Sequence, residues 1–313
     1  MQSLIPESGK AGCAVGGTLE STSIYGTDLS SAAEFWFFFR QNLGAVIGLA
    51  LLGVFVALAS LSPWLAPHPP NEIFAEALRL PPAWHPAGQR AFPLGTDDVG
   101  RDLLSRLMFG ARASLGIGAL VAVLSSALGS LLGLVAGYRG GWVDQAIMRA
   151  VDVLMALPSM LLAIVVVSIL GPGLTNAILA AAIVAVPNFV RLVRASTMAE
   201  KNKQYVLASR SFGASHSRTL FGEILPNCVA PLIIQTSHAF SDGILNVAAL
   251  GFLGLGAQPP TAEWGTMLAD ARPFIESSPW LVTYPGFCIL LVVLGFNLFG
   301  DGLRDAFDPR LKR

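Results

Sequence analysis

The chain has 313 residues, 53% of them hydrophobic and only 13% charged, with a mean hydropathy of +0.62, whereas soluble domains carry about 25% charged residues. Its 20 Lys and Arg against 20 Asp and Glu must therefore be crowded into connections between long uncharged stretches, the pattern of an integral membrane protein. A net charge of zero, with no concentrated basic face, argues against a nucleic-acid partner.

Residues 1–33 are rich in Gly, Ser and Thr and contain no apolar signal-peptide core, so a disordered cytoplasmic tail is expected there. Phe35, Trp36, Phe37, Phe38 and Phe39, flanked by Glu34 and Arg40, predict a helix over 34–42 that lies at the membrane interface or else forms the aromatic belt of the first span. Crossing roughly 30 Å of hydrocarbon takes about 20 apolar residues. Charge-free runs of that kind occur at 43–62, 113–138, 153–190, 228–250 (interrupted by Asp242) and 277–300. The run over 153–190 is too long for one helix, and Gly171-Pro172-Gly173 divides it into two spans joined by a tight turn. The expected fold is thus an all-α integral membrane protein with six transmembrane helices.

After the first span comes a long outer loop, 63–112, whose many prolines keep its first part irregular. Farther along, Thr96 is expected to cap an amphipathic helix with Asp97 and Asp98 in its first turn, and with Val99, Leu103 and Leu107 one turn apart. Asp102 and Arg106 would pair at i,i+4 on another face. The spacing of Asp97, Asp98 and Asp102 is not that of a calcium loop. Cys13, Cys228 and Cys288 lie far apart, and His68, His85, His216 and His238 lack ligand spacing, so neither a disulfide framework nor a metal site is indicated. With six spans and the N-terminus inside, the inner segments carry fourteen Lys and Arg and the outer segments six, which places both termini in the cytoplasm.

The inner segment 191–227 holds the most informative pattern. A short helix through Tyr205, Leu207, Ala208 and Ser209 would end at Gly213, which can supply a positive-φ turn into a second short helix. Leu225-Pro226 then opens the fifth span, where a first-turn proline costs little. Small residues at Ala208, Ser209, Gly213 and Ala214 would let another backbone approach closely. This segment resembles the cytoplasmic coupling loop of ABC importer permeases, whose acidic-Ala-Ala triplet falls on Leu207, Ala208 and Ser209, its glycine on Gly213 and its Leu-Pro on Leu225-Pro226. Leu207 departs from the family's carboxylate and Ser209 from its second alanine.

Further blocks at 94–106, 109–115, 248–265 and 300–309 are similar to the second permease subunit of dipeptide, oligopeptide and nickel importers, and Pro81-Pro82-Ala83-Trp84 is most like the dipeptide branch. The resemblance implies a type I ABC importer permease fold in the bacterial inner membrane. It also implies as partners a homologous second permease in a heterodimer, two ATPase subunits that bind ATP and Mg, and a periplasmic peptide-binding protein. A phosphate-binding loop needs Gly-Lys followed by Ser or Thr; the one Gly-Lys here, Gly9-Lys10, precedes Ala11, so no ATP site or other cofactor site is expected in this chain.

On the fifth span, at 100° per residue, Gln235, His238, Asp242 and Asn246 share one face. An ionisable residue inside a span is a functional candidate by default, so this stripe is the candidate translocation path, with hydrogen bonding to a neighbouring permease as the alternative. Glu263, Trp264 and Asp270 fall in the outer loop, where docking of a binding protein and simple solvation both fit. An ion-driven transporter would be expected to place more ion ligands in interrupted helices, and an intramembrane enzyme would need a partner for His238.

Overall fold

The computed structural model describes residues 31–307. The tail expected over 1–33 lies almost wholly outside the described residues, as do Arg310, Lys312 and Arg313. Every regular element among the described residues is helical, apart from one isolated antiparallel bridge between Thr96 and Asp102. The helices are α1 (Ser31–Gln41), α2 (Leu43–Leu65), α3 (Leu103–Arg139), α4 (Gly141–Met155), α5 (Ser159–Leu170) and α6 (Leu174–Glu200). They continue with α7 (Gln204–Ser211), α8 (His216–Arg218), a π-helical turn Thr219–Ile224, α9 (Leu225–Asn227), α10 (Val229–Phe252), α11 (Trp264–Ala271) and α12 (Trp280–Phe307).

Four of these, α2, α3, α6 and α12, are long and apolar enough to cross a membrane; a fifth crossing results if α4 and α5, bent by 97° at their junction, count together. The four spans interlock through glycines. Along α3, Gly129, Gly133 and Gly137 recur every fourth residue and let α6 approach closely. A Cβ at Gly133 would come 2.8 Å from the Val190 carbonyl oxygen, and one at Gly137 2.7 Å from Thr197 Cβ. On the other side of the bundle, a Cβ at Gly48 of α2 would meet the Gly295 carbonyl of α12 at 2.8 Å, and Gly302 lies against Ala45. Short α1 docks on this pair by Phe39, which is buried with Ala45, Leu303 and Ala306, while Trp36 and Phe37 stay exposed.

Three expectations need correction. Thr96 caps no helix: its hydroxyl hydrogen-bonds the Ala77 carbonyl, and the N-cap of α3 is Asp102, whose Oδ2 accepts from Ser105 N at 3.0 Å and Ser105 Oγ at 2.5 Å. Of the residues expected in a separate amphipathic helix, Leu103 and Leu107 instead begin α3 itself, a continuous helix of 37 residues, because positive-φ turns at Gly95 and Gly100 carry the chain past Thr96 without a helical start. Arg106 pairs not with Asp102 but with Asp97, at 3.4 Å.

The third correction concerns the expected span that starts at 153. A break at Ala156-Leu157-Pro158 leaves α5 with 12 residues, about 18 Å of helix and too short to cross alone. The turn at Gly171-Pro172-Gly173 falls where expected, with positive φ at both glycines.

Candidate functional site

Two constellations stand out, a helical hairpin after α6 and a polar cavity along α10. In the hairpin, α7 is seated by Val206, buried against Leu134 of α3, Val193 of α6, Ile224 and Cys228. The helix stops at Phe212, and Gly213 turns at φ 87°, a conformation that side-chain-bearing residues rarely adopt. Ser215 then caps α8 through Arg218 N. Leu207, Ala208 and Gly213 point away from the bundle and are exposed, Ser209 is half-buried, and Phe212 at the tip is 92% exposed. Phe221 of the π-helical turn adds a second exposed ring, so the hairpin carries an exposed apolar ridge, with Arg210 and Arg218 also exposed on it. Leu225 and Pro226 lie in α9, separated from α10 by Cys228.

Polar ties fix this hairpin to the bundle. Tyr205 Oη donates to Glu200 Oε2 at 2.7 Å and accepts from Asn227 Nδ2 at 3.0 Å. Ser209 Oγ donates to Glu223, and Tyr138 Oη meets His216 Nδ1 at 2.8 Å. Desolvation, and next the Glu200 carboxylate, push the Tyr205 hydroxyl up to about 12, so it remains a donor at neutral pH. The sequence pattern begins the short helix at Tyr205 and sets Asn227 in line with the polar stripe, but gives no role to the Tyr205 hydroxyl or to Glu223, which become significant only once the hairpin is folded back on itself.

The second constellation is an open cavity of about 420 Å³ lined by Leu154, Met155, Leu157 and Ser159 at the α4–α5 break, by Asn188 of α6, and by Gln235, Asp242 and Asn246 of α10. Gln235, Asp242 and Asn246 are thus brought together as their helical angles require. His238 does not line the cavity; it sits at the edge of the stripe, with its Cε1 towards Gly300 of α12. The α4–α5 break matters here, because opening the helix at Pro158 brings Ser159 to the same space as Asn188. Neither residue stood out in the sequence.

Glu263 and Trp264 belong to neither constellation, nor do they face solvent as outer-loop residues would. Glu263 is 2% exposed and caps α11, accepting from Gly265 N at 2.8 Å and Thr266 N at 2.9 Å. Trp264 is fully buried. Asp270, half-buried, lies 3.8 Å from Arg101 in an ion cluster with Asp97 and Arg106. Arg106 also reaches the carbonyls of Pro70 and Pro260, tying the irregular segment after α2 to the loop before α11.

Residues 129–313, which span α6, the hairpin, the cavity and α12, match the binding-protein-dependent transport system inner membrane component family. The chain belongs to that family. Residues 30–82 match the N-terminal transmembrane domain of oligopeptide transport permease C. The dipeptide transport system permease protein DppC of Escherichia coli K12 is 58% identical over 280 residues, 90% of this chain and 93% of that one. The protein of the same name from Haemophilus influenzae is 53% identical over 280 residues, 90% and 95% of the two chains. The di/tripeptide transport system permease protein DppC of Pseudomonas aeruginosa is 54% identical over 283 residues, 90% and 93%. As a permease of this family the chain is a multi-pass membrane component of a transport system. The likeness to permeases noted in the sequence runs through every element from α1 to α12.

Proposed function

We propose that this permease carries dipeptides or short peptides inward across the bacterial inner membrane as one half of a heterodimer, driven by separate ATPase subunits and fed by a periplasmic peptide-binding protein. The observation that carries this reading is identity of 53–58% over 90% of the chain to three permeases named for dipeptide or di/tripeptide transport. Six crossings are proposed: α2, α3, the bent α4–α5 pair, α6, α10 and α12, with both termini cytoplasmic. The 24-residue α10 is long enough, at about 36 Å; its lower apolarity follows from Gln235, Asp242 and Asn246, residues that a span bordering a wet route needs.

In this reading the ridge at Leu207, Ala208, Ser209 and Gly213, backed by Leu225 and Pro226, docks on an ATPase subunit. Closure of the ATPases around ATP and Mg then biases the permease between two states, as a ligand biases any equilibrium in which it favours one state. The cavity beside Asp242 is the proposed route. A dipeptide is a zwitterion, and unpaired charge in hydrocarbon is costly, so its path must offer polar partners on both signs. Asp242 would face the amine, and the carboxamides of Asn188, Gln235 and Asn246 the backbone.

Reconstitution of the chain with its sister permease, ATPases and binding protein in liposomes tests the whole. ATP-dependent uptake of a radiolabelled dipeptide, in preference to glutathione or nickel, is expected. Uptake of nickel or glutathione alone would move the chain to another substrate class within the family, and uptake driven by an ion gradient without ATP would refute the reading. Reporter fusions at Ser211 should read cytoplasmic and at Gln89 periplasmic.

A further inference from the structure

One hydroxyl group joins the end of α6 to α9, the short turn that leads into α10. Glu200 is the last residue of α6 and Asn227 the last of α9, two residues before α10 begins. Tyr205, in the first turn of α7, hydrogen-bonds both: its single proton goes to the Glu200 carboxylate at 2.7 Å, and its oxygen takes an N–H from Asn227 at 3.0 Å. Both partners are held from behind. Lys203 Nζ lies 2.6 Å from Glu200 Oε1, and the Asn227 carboxamide also donates to the Glu223 carbonyl at 2.7 Å. A phenylalanine would fill the same space and make neither bond.

The apolar seat of the hairpin is separate from this joint. It is the cluster around Val206, whereas Tyr205, Lys203 and Asn227 are exposed, where polar pairs add little to stability. What the joint does fix is relative position: the end of α6 and the start of α10 are both referred to the same residue of α7. These two helices carry Asn188 on one side of the cavity and Gln235, Asp242 and Asn246 on the other.

We propose that Tyr205 is a positioning residue for energy coupling, a hydroxyl joint through which a displacement of α7 moves the ends of α6 and α10 together, so that the two walls of the cavity shift in step. This rests on the reading of α7 as the ATPase-docking helix.

The test uses the full reconstituted transporter with Tyr205→Phe, Glu200→Ala and Glu200→Gln. Tyr205→Phe should still co-purify with the ATPase subunits and hydrolyse ATP within about twofold of wild type, yet move about three- to tenfold less peptide per ATP, the scale of losing one ordinary, partly solvated hydrogen bond. Glu200→Ala should behave likewise, and Glu200→Gln, which keeps an acceptor, should recover most of the ratio. An unchanged peptide-per-ATP ratio in Tyr205→Phe overturns the proposal, and so does loss of ATPase co-purification, which would make Tyr205 part of the docking seat.

A second measurement is independent of substrate. Spin labels at the exposed positions Met198 and Val229 should report one narrow distance in wild type and a broadened or shifted one in Tyr205→Phe; identical distributions also overturn the joint. A wild-type complex that fails to transport dipeptides but shows this spectroscopic change would sink the substrate reading and leave the joint standing.

Discussion

The indole N–H of Trp264 donates to the carbonyl oxygen of Leu107 across 3.1 Å, joining α11 to the first turns of α3 over 157 residues of sequence. Space for the ring comes from Gly110, where a Cβ would lie 2.8 Å from Trp264 Cδ1, and Phe55 of α2 packs edge-on at 5.9 Å. Three elements therefore meet on one side chain. Trp264→Ala should destabilise the chain by about 3–5 kcal/mol, as loss of a buried large aromatic does. Trp264→Phe, which keeps most of the contact but forfeits the hydrogen bond, should cost about 1 kcal/mol. Thermal unfolding of the detergent-solubilised protein checks the order, and equal melting temperatures for the two variants would contradict it.

Next to it, Glu263 gives a pH signature. Burial pushes its carboxyl above the ordinary value of 4.5, against the lowering effect of the Gly265 and Thr266 N–H groups and Ser114. An acid whose folded pKa is raised binds more protons folded than unfolded, so its contribution to stability is greatest below 4.5 and is lost as the pH rises from there through the folded pKa. Glu263→Gln, which keeps an acceptor oxygen for one of the two amides and no longer titrates, should flatten that part of the stability profile. Glu263→Ala should lower stability at every pH by stranding both N–H groups. Unfolding midpoints measured from pH 4 to 8 on the three proteins decide the matter; parallel profiles for wild type and Glu263→Gln would rule out Glu263 as their source.

Sequence was most informative where membrane physics is strict. Charge cannot lie along a lipid-facing span, so the runs at 43–62 and 113–138 fell within α2 and α3, and the run at 277–300 overlaps α12 from Trp280 onward. It was blind to Pro158 for a physical reason: Pro63, Pro187 and Pro285 sit inside helices without ending them, so proline in an apolar run does not by itself mark a break. Thr96 and Asp102 are both good N-caps, and only the turns at Gly95 and Gly100 choose between them. Glu263 and Trp264 looked like outer-loop groups because the small residues that make room for them, Gly251 and Gly110, are on other helices, Gly110 more than 150 residues away in the chain. The polar stripe was legible from 100° arithmetic on α10 alone, but its facing partner Asn188 required the fold.

Packing of α3 on α6 offers a sharper test of how the bundle closes. At Gly133 an added Cβ would meet both the Val190 carbonyl oxygen and Val193 Cβ at 2.8 Å, so backbone, not a flexible side chain, would have to yield. Gly133→Leu should therefore separate the helices and cost about 1–3 kcal/mol or more, whereas Gly53→Leu, where nothing lies within 4 Å, should be tolerated. Comparing the amounts of folded, monodisperse protein from the two variants gives the readout, and indistinguishable yields would mean that α3 and α6 do not pack as described.

Asp242 carries the most consequential prediction, because it is the one formal charge on α10 and it opens onto the cavity together with Gln235 and Asn246. No described Lys, Arg or His lies within 4.0 Å of it, and His238, one turn earlier on α10, does not line the cavity; under the proposed function the cavity side of Asp242 is where the amine of a dipeptide would lie. Loss of such a contact should reduce peptide uptake about tenfold in Asp242→Asn, the effect of losing a charge-assisted hydrogen bond, while complex assembly and basal ATP hydrolysis stay near wild type. The competing role is packing against the sister permease through a hydrogen bond that Asn can also make; then Asp242→Asn would be mild and Asp242→Leu would disrupt assembly. Dipeptide uptake and ATPase activity measured on the same reconstituted variants separate the two, since only a residue on the substrate's route lowers uptake when its charge, but not its shape, is removed.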